Sequence, residues 1–309
     1  MIRHLYAVVG LLFLLAPSGP TVAAEMLPTP PVNRVTPIRS PDGVTFEAYE
    51  WGNPDGRPIV FIHGIYQSAL SWAKQVGDPA LARKYRLVAI DLRGHGASDK
   101  PDGAEFYREG KRWADDITAL MDTLHLNRPV MVPWSYGGRV LNDYLTVNGD
   151  GRLGGIVYVA TRSTTDESPE APGARRTEAS RDALSSDPAT FIKGTREFVE
   201  LCFGKPAAPA EIEWLTAASM QTPLYVRRQL AGRPLAYTDV LKSIRVPTLI
   251  IQGDIDAVVS PQIAEITHRL IPHSSLSVYR GVGHSSFFET PDRFNAELDR
   301  FMEGLRSER

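Results

Sequence analysis

The sequence predicts an α/β fold with a mostly parallel central sheet, helices on both faces and a helical insertion. Short apolar runs alternate with stretches of helical periodicity over residues 58–160, and the alternation resumes at residue 248. Strand, helix and strand in this rhythm favour parallel strands that are covered on both faces. The 309 residues, 43% of them hydrophobic and 23% charged, are enough to bury one large core.

Residues 1–24 have the pattern of a secretory signal peptide. Arg3 and His4 precede the apolar run 5–16, and the small residues Ala23 and Ala24 follow. The run is roughly a dozen residues long, whereas a membrane-spanning helix needs about 20. We therefore expect cleavage after Ala24 and a secreted or periplasmic protein without a stable membrane span.

The elements of the mature chain can be assigned in order. Residues 25–41 are rich in proline and are expected to form an extended leader on the surface. The core is predicted over residues 42–160 and 240–309. Its strand-like runs are 44–51, 58–62, 86–90, 130–132, 156–159, 248–252 and 276–279, and its helical stretches are 69–75, 113–124, 136–147, 261–270 and a last helix ending near residue 305.

Residues 161–239 interrupt this alternation and are predicted to form the helical insertion. They contain the helix-forming stretches 169–185, 188–201, 209–218 and 224–230, without a convincing strand. An insertion that interrupts a sheet and lets it continue usually lies above the strand ends, over the functional site.

Ser135 is the strongest candidate for chemistry. It stands between the apolar strand 130–132 and a helix that begins at Tyr136, and it is the one serine followed two positions later by glycine. A sharp turn from strand to helix presents a serine hydroxyl above the end of a sheet, where hydrolases place their nucleophile.

His284 is the expected general base, because a serine hydroxyl attacks a carbonyl only when a base takes its proton. It follows the strand 276–279, at the sheet edge where open α/β folds hold their ligands. His63 and His95 also adjoin glycine at strand ends and could line the site. We interpret both as parts of the loops.

A carboxylate is expected on the other nitrogen of the base, where it fixes the tautomer of the imidazole. The strand 248–252 is followed by Asp254 and Asp256, and either could supply it. Asp254 also suits a turn, in which its side chain bonds nearby amides. Asp166, after the strand that ends at residue 159, is a third candidate.

Two backbone amides are expected to hold the developing oxyanion. One is the amide of Tyr136, and the other is that of Ile65, in the loop after the strand 58–62. Gly64 keeps side-chain atoms away from that loop. Tyr66 and Trp134 are expected near the mouth of the site, either as packing or as walls for a substrate.

Five motifs together resemble the α/β-hydrolase superfamily over nearly the whole mature sequence. They are His63-Gly64, the turn from Asp91 to Asp99, Trp134-Ser135-Tyr136-Gly137-Gly138, Gly253-x-x-Asp256 and Gly283-His284. The resemblance implies the α/β-hydrolase fold, Asp256 as the acid of a Ser-His-Asp triad, and residues 161–239 as the cap domain.

Pro133 departs from the family's pattern, which usually has glycine at this position of the nucleophile turn. Its ring fixes φ and removes an amide donor, so the turn could be displaced and activity reduced. Gly137 and Gly138 are expected to preserve the turn. The turn from Asp91 to Asp99 is interpreted as structural, because its glycines suit a tight loop.

The candidate residues and the resemblance predict a serine hydrolase that cleaves a small or medium ester or related acyl compound. Halide displacement and epoxide opening are disfavoured, because family members with those activities use a carboxylate where this chain has Ser135. Cofactor-free perhydrolases of the haloperoxidase type and carbon-carbon bond hydrolases share the triad and stay open. A non-catalytic ligand-binding protein on the same fold is a further alternative.

The expected partner is a small-molecule substrate. A formal charge of −2 gives no basic field for a nucleic acid. Cys202 is the single cysteine and the seven histidines lack paired ligand spacing, so neither a metal nor another cofactor is expected. The sequence leaves the oligomeric state open.

Overall fold

The computed structural model of the chain describes residues 30–162, 174–231, 233 and 236–305. Within these residues, eight strands form one sheet: β1 (Arg34–Arg39), β2 (Thr45–Gly52), β3 (Arg57–Ile62), β4 (Tyr85–Ile90), β5 (Val130–Pro133), β6 (Gly155–Val159), β7 (Thr248–Gly253) and β8 (Ser275–Tyr279). Their order across the sheet is β1-β2-β4-β3-β5-β6-β7-β8. The pairs β1 with β2 and β2 with β4 are antiparallel, and the other pairs are parallel. The predicted α/β class with a mostly parallel sheet is confirmed.

The central strands are short runs of apolar residues because both faces of a parallel sheet are covered. In β3, alternate side chains enter two different cores. Ile59 and Phe61 pack in the core on one face of the sheet, and Val60 and Ile62 pack in the core on the other face. All four are fully buried.

The helices of the described residues follow the strands along the chain. They are α1 (Ala73–Val76), α2 (Pro79–Lys84), α3 (Glu105–Arg108), α4 (Gly110–Thr123), α5 (Tyr136–Asn148), α6 (Ala174–Asp182), α7 (Pro188–Leu201), α8 (Pro209–Met220), α9 (Leu224–Leu230), α10 (Thr238–Ser243), α11 (Gln262–Leu270), α12 (Ser286–Glu289) and α13 (Pro291–Gly304), with a 3₁₀ turn at Ala69–Trp72 before α1. Proline opens several of them, at the first helical position where its missing N–H costs nothing. No helix among the described residues is both long and apolar enough to cross a lipid bilayer.

The expected insertion, in the part of 161–239 that the structure describes, contains α6 to α9 and adds no strand to the sheet. These helices stand between β6 and β7 in the chain. The short helix α10 begins at Thr238 and packs against α5 and α11, in the layer that covers the sheet.

The expected leader over 25–41 is only partly correct. Its described part contains β1, which pairs with β2 along its whole length, and Ile38 is fully buried. The proline content hid this strand, because Pro37 lacks the N–H that a central strand needs. An edge strand such as β1 tolerates a proline. The predicted signal peptide, residues 1–24, lies outside the described residues.

The parallel strands direct their carboxyl ends to one edge of the sheet. β3 lies between β4 and β5 in the sheet. After β3 the chain places β4 on one side of it and then β5 on the other side, so the strand order reverses at β3. Ligand crevices in open α/β sheets form outside the strand ends at such a reversal. The loops that carry Ile65, Ser135, Asp256 and His284 all leave this edge, after β3, β5, β7 and β8.

Candidate active site

Ser135 lies at a sharp turn between β5 and α5. Its backbone has φ 51° and ψ −113°, a positive-φ conformation that residues other than glycine rarely adopt. Hydrogen bonds from the amides of the turn to the carbonyls of two neighbouring strands hold it in place. The Trp134 amide donates to the Ile62 carbonyl and the Ser135 amide donates to the Val159 carbonyl, both at 2.9 Å.

There is no room for a side chain at Gly137 or at Gly138, the two glycines of the turn after Ser135. A Cβ at Gly137 would lie 2.6 Å from the carbonyl oxygen of Ile62, and one at Gly138 would lie 2.6 Å from Cγ2 of Thr161. The first turn of α5 can therefore approach the sheet closely. Pro133 does not prevent this turn, because it is the last residue of β5 and the hydrogen bond to Ile62 comes from the residue after it.

Asp256 and His284 form a direct hydrogen bond. His284 Nδ1 lies 2.8 Å from Asp256 Oδ2, and only 1% of the His284 surface is exposed. The same carboxylate oxygen accepts from Gln252 Nε2 at 2.9 Å. Its other oxygen accepts from the amides of Val258 and Val259 at 2.7 and 2.9 Å. The carboxylate is thus fixed by three donors besides the imidazole, and it orients His284 through Nδ1.

Neither of the other two candidate acids, Asp254 and Asp166, is seen to contact the imidazole in the described part of the chain. Asp254 Oδ1 accepts from the Gly281 amide at 2.6 Å, which is the turn role that its position indicates. Asp166 lies outside the described residues. Of Asp254 and Asp256, the structure brings Asp256 to the imidazole.

Ser135 and His284 are connected through Trp134. Its indole Nε1 donates to the His284 carbonyl at 3.0 Å, and the indole and imidazole ring centres are 5.4 Å apart. Among the described residues, no hydrogen bond joins the Ser135 hydroxyl to the imidazole. Catalytic hydrogen bonds are often long in ligand-free enzymes and shorten when substrate binds.

A cavity of about 160 Å³ opens at Ser135, which is half-buried. Its described lining is Ile65, Ser135, Tyr136, Arg139, Arg162, Phe198, Val258 and Val259. In the described part of the chain, the backbone amides of Ile65 and Tyr136 donate no hydrogen bond. Both predicted oxyanion donors therefore share one cavity with the serine and have their N–H groups available for a ligand.

Tyr66 and Trp134 do not line this cavity. Tyr66 is 8% exposed, and the guanidinium of Arg227 lies 4.6 Å from the centre of its ring. Burial raises the pKa of the Tyr66 phenol to about 12. Trp134 packs against the loop after β3, where a Cβ at Gly64 would lie 3.0 Å from the indole. Both aromatic residues contribute packing around the site.

His63 and His95 hold loops in place. His63 Nδ1 donates to the Gly64 carbonyl at 2.7 Å, and His63 Nε2 accepts from the Leu92 amide at 3.0 Å. His95 Nδ1 donates to the Arg93 carbonyl at 2.9 Å. Complete burial lowers the pKa of His63 to about 4 and that of His95 to about 3. Both rings are neutral at ordinary pH.

The turn from Asp91 to Asp99 is organised around the Asp91 carboxylate. This group accepts from the amides of Ala69 and Ala97 at 2.7 and 2.8 Å and from the hydroxyl of Tyr49 at 3.0 Å. A Cβ at Gly96 would lie 2.1 Å from one of its oxygens. All of these contacts are structural, in agreement with the interpretation of this motif.

Five described residues of the cavity wall were not predicted from the sequence: Arg139, Arg162, Phe198, Val258 and Val259. Arg139 could have been found, because it lies four residues after Ser135 and therefore one helical turn along α5. Arg162 follows β6, and Phe198 comes from α7 in the insertion. Neither has a local sequence signal. No cluster of three or more potential metal ligands occurs within the described ranges.

The parallel sheet, its strand order and the serine-bearing turn between β5 and α5 define an α/β-hydrolase fold. The chain belongs to the alpha/beta hydrolase family, whose model matches residues 59–297.

Similar proteins are esterases and haloperoxidases. A crystal structure of a putative aryl esterase from Burkholderia cenocepacia has a TM-score of 0.83 and 36% identity, covering 89% of this chain and all of that one. An esterase from Rhodococcus sp. ECU1013 has a TM-score of 0.81 and 33% identity, covering 88% and 99%. The non-heme chloroperoxidase CPO-A1 of Kitasatospora aureofaciens is 30% identical over 273 residues, 84% of this chain and 97% of its own.

Proposed function

We propose that the protein is a serine esterase with Ser135, His284 and Asp256 as its catalytic triad. The observation that carries the proposal is the 2.8 Å hydrogen bond between Asp256 and His284, at the same sheet edge as the strained Ser135. A carboxylate on Nδ1 keeps the proton on that nitrogen, so the Nε2 lone pair is free to accept the serine proton.

The reaction would proceed through an acyl-enzyme. Ser135 Oγ attacks the ester carbonyl while its proton passes to His284 Nε2. The amides of Ile65 and Tyr136 stabilise the oxyanion of the tetrahedral intermediate. His284 then gives the proton to the leaving alcohol, and the same imidazole later activates the water that releases the acid.

The cavity supports a small acyl group. Its volume of about 160 Å³ is well below the ~300 Å³ at which sites for drug-sized ligands begin. Its apolar walls, Phe198, Val258 and Val259, suit a short carbon chain. We expect higher kcat/KM for acetyl, propionyl and butyryl esters than for octanoyl esters.

A panel of 4-nitrophenyl esters tests the proposal on the wild type and on Ser135→Ala. Removal of the nucleophile should lower kcat by about a thousandfold or more. Ser243→Ala, which changes an exposed serine in α10, is the matched control and should retain wild-type rates. Undiminished activity in Ser135→Ala would refute the role of the serine.

Peroxide-dependent halogenation is a second candidate function. Several curated relatives at 27–30% identity are non-heme chloroperoxidases or haloperoxidases. Perhydrolysis would use the same acyl-enzyme, with hydrogen peroxide in place of water, and would release a peracid. The peracid would then oxidise bromide to hypobromite, the halogenating agent, and return to the carboxylic acid. Bromination of monochlorodimedone in acetate buffer with peroxide, compared with ester hydrolysis by the same preparation, separates the two functions.

Covalent labelling of Ser135 distinguishes an enzyme from a non-catalytic binding protein on the same fold. A fluorophosphonate probe forms a covalent bond only with a serine that a base has activated. Labelling that requires both Ser135 and His284 supports the enzyme. An unreactive serine in folded protein supports the binding protein.

We further propose export to the periplasm or medium, on the basis of the pattern in residues 1–24. N-terminal sequencing of the protein recovered from a periplasmic fraction tests it. A mature terminus at Glu25 is the expected result, and an intact Met1 on the recovered protein would contradict it.

A further inference from the structure

Arg227 on α9 is a fully buried cation in the helical insertion. Its guanidinium donates to four acceptors: the carbonyls of Thr222, Ala183 and Ser219 at 3.0, 3.3 and 2.6 Å, and the hydroxyl of Thr195 at 2.8 Å. Among the residues that the structure describes, all of its hydrogen-bond acceptors are uncharged. A buried charge is costly, and an apolar side chain of similar volume often packs a core at least as well. The guanidinium therefore points to a role beyond filling space.

This guanidinium also lies over two aromatic rings. Its carbon is 4.6 Å from the centre of the Tyr66 ring and 4.4 Å from the centre of the Phe191 ring. Burial lowers the pKa of Arg227 to about 10, so the group keeps its charge at neutral pH. The attraction between a cation and an aromatic face is strongest where water is excluded, as it is here. Because Tyr66 belongs to the loop after β3, the contact connects the insertion to that loop.

Tyr66 lies in a strained turn beside the Ile65 amide. The Gln67 amide donates to the Gly64 carbonyl at 3.2 Å, which closes a turn with Ile65 and Tyr66 at its centre. Tyr66 has φ 64°, and a positive φ at the third residue of a turn usually calls for glycine or asparagine. A strained conformation of this kind persists only where the surrounding structure holds it.

The insertion supplies the contacts that hold this turn. The Tyr66 carbonyl accepts from Thr222 Oγ1 at 3.3 Å. The Gln67 side chain donates through Nε2 to Ser219 Oγ at 2.7 Å. Arg227 binds the carbonyls of the same two insertion residues, Thr222 and Ser219. One side chain thus fixes both the ring of the turn and the residues that bond its backbone and its last side chain.

We propose that Arg227 is a positioning residue of the oxyanion hole, acting through Tyr66 on the turn that carries the Ile65 amide. This inference rests on the proposed serine esterase function. Arg227 is not in the described lining of the cavity at Ser135, whereas Ile65 is. With the guanidinium in place, the Ile65 amide stays directed at the oxygen that becomes the oxyanion. Without it, the turn can relax from its positive φ and the amide moves away.

A trifluoromethyl ketone measures the oxyanion hole directly. With 1,1,1-trifluoropentan-2-one, Ser135 Oγ would add to the carbonyl carbon, the serine proton would pass to His284 Nε2, and the carbonyl oxygen would become an oxyanion at the two amides. Pentan-2-one has the same carbon chain but forms no stable adduct, so its inhibition constant reports binding to the cavity alone. The other measurements are KM and kcat for 4-nitrophenyl butyrate, with kcat expressed per active site counted from the endpoint of fluorophosphonate labelling.

Arg227→Met should lower kcat per active site by about tenfold to a hundredfold, less than the loss of about 10²–10³ when an oxyanion donor is removed completely. The inhibition constant of the trifluoromethyl ketone should rise by a similar factor. KM and the inhibition constant of pentan-2-one should change little, because the cavity walls stay the same. Arg227→Lys should keep part of kcat, since it retains a cation for the Tyr66 ring.

Arg228→Met is the matched control. Arg228 is the next residue of α9 and is exposed, and its Nη2 donates to the Leu184 carbonyl at 3.0 Å and to the Ser186 hydroxyl at 2.7 Å. Its replacement removes hydrogen bonds between α9 and the segment after α6 without changing the contact with Tyr66. All four constants should keep their wild-type values.

The outcomes separate this inference from the proposed function. An Arg227→Met protein that melts earlier but keeps the wild-type kcat per site and ketone inhibition overturns the proposal, because Arg227 would then only stabilise the insertion. An equal rise in both ketone constants also overturns it, since the defect would then lie in the cavity. A wild type that neither hydrolyses the ester nor reacts with fluorophosphonate contradicts the esterase itself.

Tyr66→Leu decides the question if Arg227→Met does not fold. This variant removes the ring and leaves the hydrogen bonds of Arg227 in place. A loss confined to kcat and to inhibition by the trifluoromethyl ketone supports the proposal. Wild-type values of all four constants contradict it.

Discussion

The backbones of Gly204 and Gly283 are in direct contact: a Cβ at Gly283 would lie 2.3 Å from the Gly204 nitrogen. Gly204 lies in the loop between α7 and α8 of the helical insertion, and Gly283 precedes His284. Glu289 joins the two segments, because its carboxylate accepts from the Gly204 amide at 2.9 Å and from the Gly283 amide at 2.8 Å. The position of the proposed base therefore depends on a contact with the insertion.

Glu289→Gln should lower kcat by about tenfold to a hundredfold, because small displacements of a catalytic group are costly. A glutamine offers one acceptor oxygen, so its amide nitrogen would face one of the two backbone donors. Leaving that buried donor unpaired costs about 1–3 kcal/mol. The measurements are kcat and KM on a nitrophenyl ester, together with the melting temperature.

The control for this variant is Glu303→Gln, which removes an exposed carboxylate paired with Lys84. If Glu289 positions His284, its replacement by glutamine should lower kcat and change KM little. A variant that melts earlier but keeps the wild-type kcat would show that Glu289 contributes only stability.

Gly283→Ala tests the close approach itself. The added Cβ would overlap the backbone of Gly204, so the segments must separate, at a cost of about 1–3 kcal/mol in the free energy of unfolding. We also expect a loss of esterase activity. Gly304→Ala is the control, because among the described residues no atom outside its chain neighbours and its own helix backbone lies within 4 Å of its added Cβ. Equal melting temperatures and rates for the two variants would contradict the predicted overlap.

The buried pair His63 and His95 should make the fold sensitive to acid. Burial lowers the pKa of His63 to about 4 and of His95 to about 3, whereas an unfolded histidine titrates near 6.5. Between these values the unfolded chain binds protons that the folded chain does not. The stabilisation of the folded state that results from this difference in pKa is fully present above about pH 6.5. It is lost as the pH falls, by up to about 1.4 kcal/mol per pH unit for each histidine.

Urea unfolding between pH 7 and pH 4.5 measures this dependence. His63→Gln should remove about half of the slope that the two histidines produce, even if it destabilises the protein at pH 7. His125→Asn changes an exposed histidine at a positive-φ position that asparagine tolerates, and it should keep the slope. An unchanged slope in His63→Gln would contradict the assignment.

Much of the site could be predicted because its residues follow apolar strands. Ser135, Asp256 and His284 each come shortly after such a strand, and parallel strands bring their carboxyl ends to one edge. The choice of Asp256 over Asp254 rested on the family resemblance. In the structure, the hydrogen bonds of these two side chains distinguish a partner of the imidazole from a turn residue.

The parts that could not be predicted depend on contacts between distant residues. Phe198 reaches the cavity from α7, and the packing of the insertion has no short-range pattern that reveals it. Glu289 binds the amide of a residue 85 positions away. β1 was hidden for a different reason, since its proline is compatible with the edge of a sheet but argues against a strand in general.

Asp256→Asn should fold and lose most of its activity. Oδ1 of Asp256 accepts from two backbone amides, so an asparagine must keep its oxygen there and direct its NH₂ group at His284. Gln252 can adapt by turning its own amide oxygen, which is buried without a partner, towards this NH₂. The imidazole must then accept at Nδ1 and carry its proton on Nε2, the tautomer that cannot take the serine proton. We expect kcat to decrease by about 10⁴-fold with a small change in melting temperature.

Asp254→Asn, which alters only the turn at Gly281, is the matched control and should keep wild-type rates. Activity near the wild-type level in a folded Asp256→Asn protein would rule out Asp256 as the residue that sets the tautomer of His284.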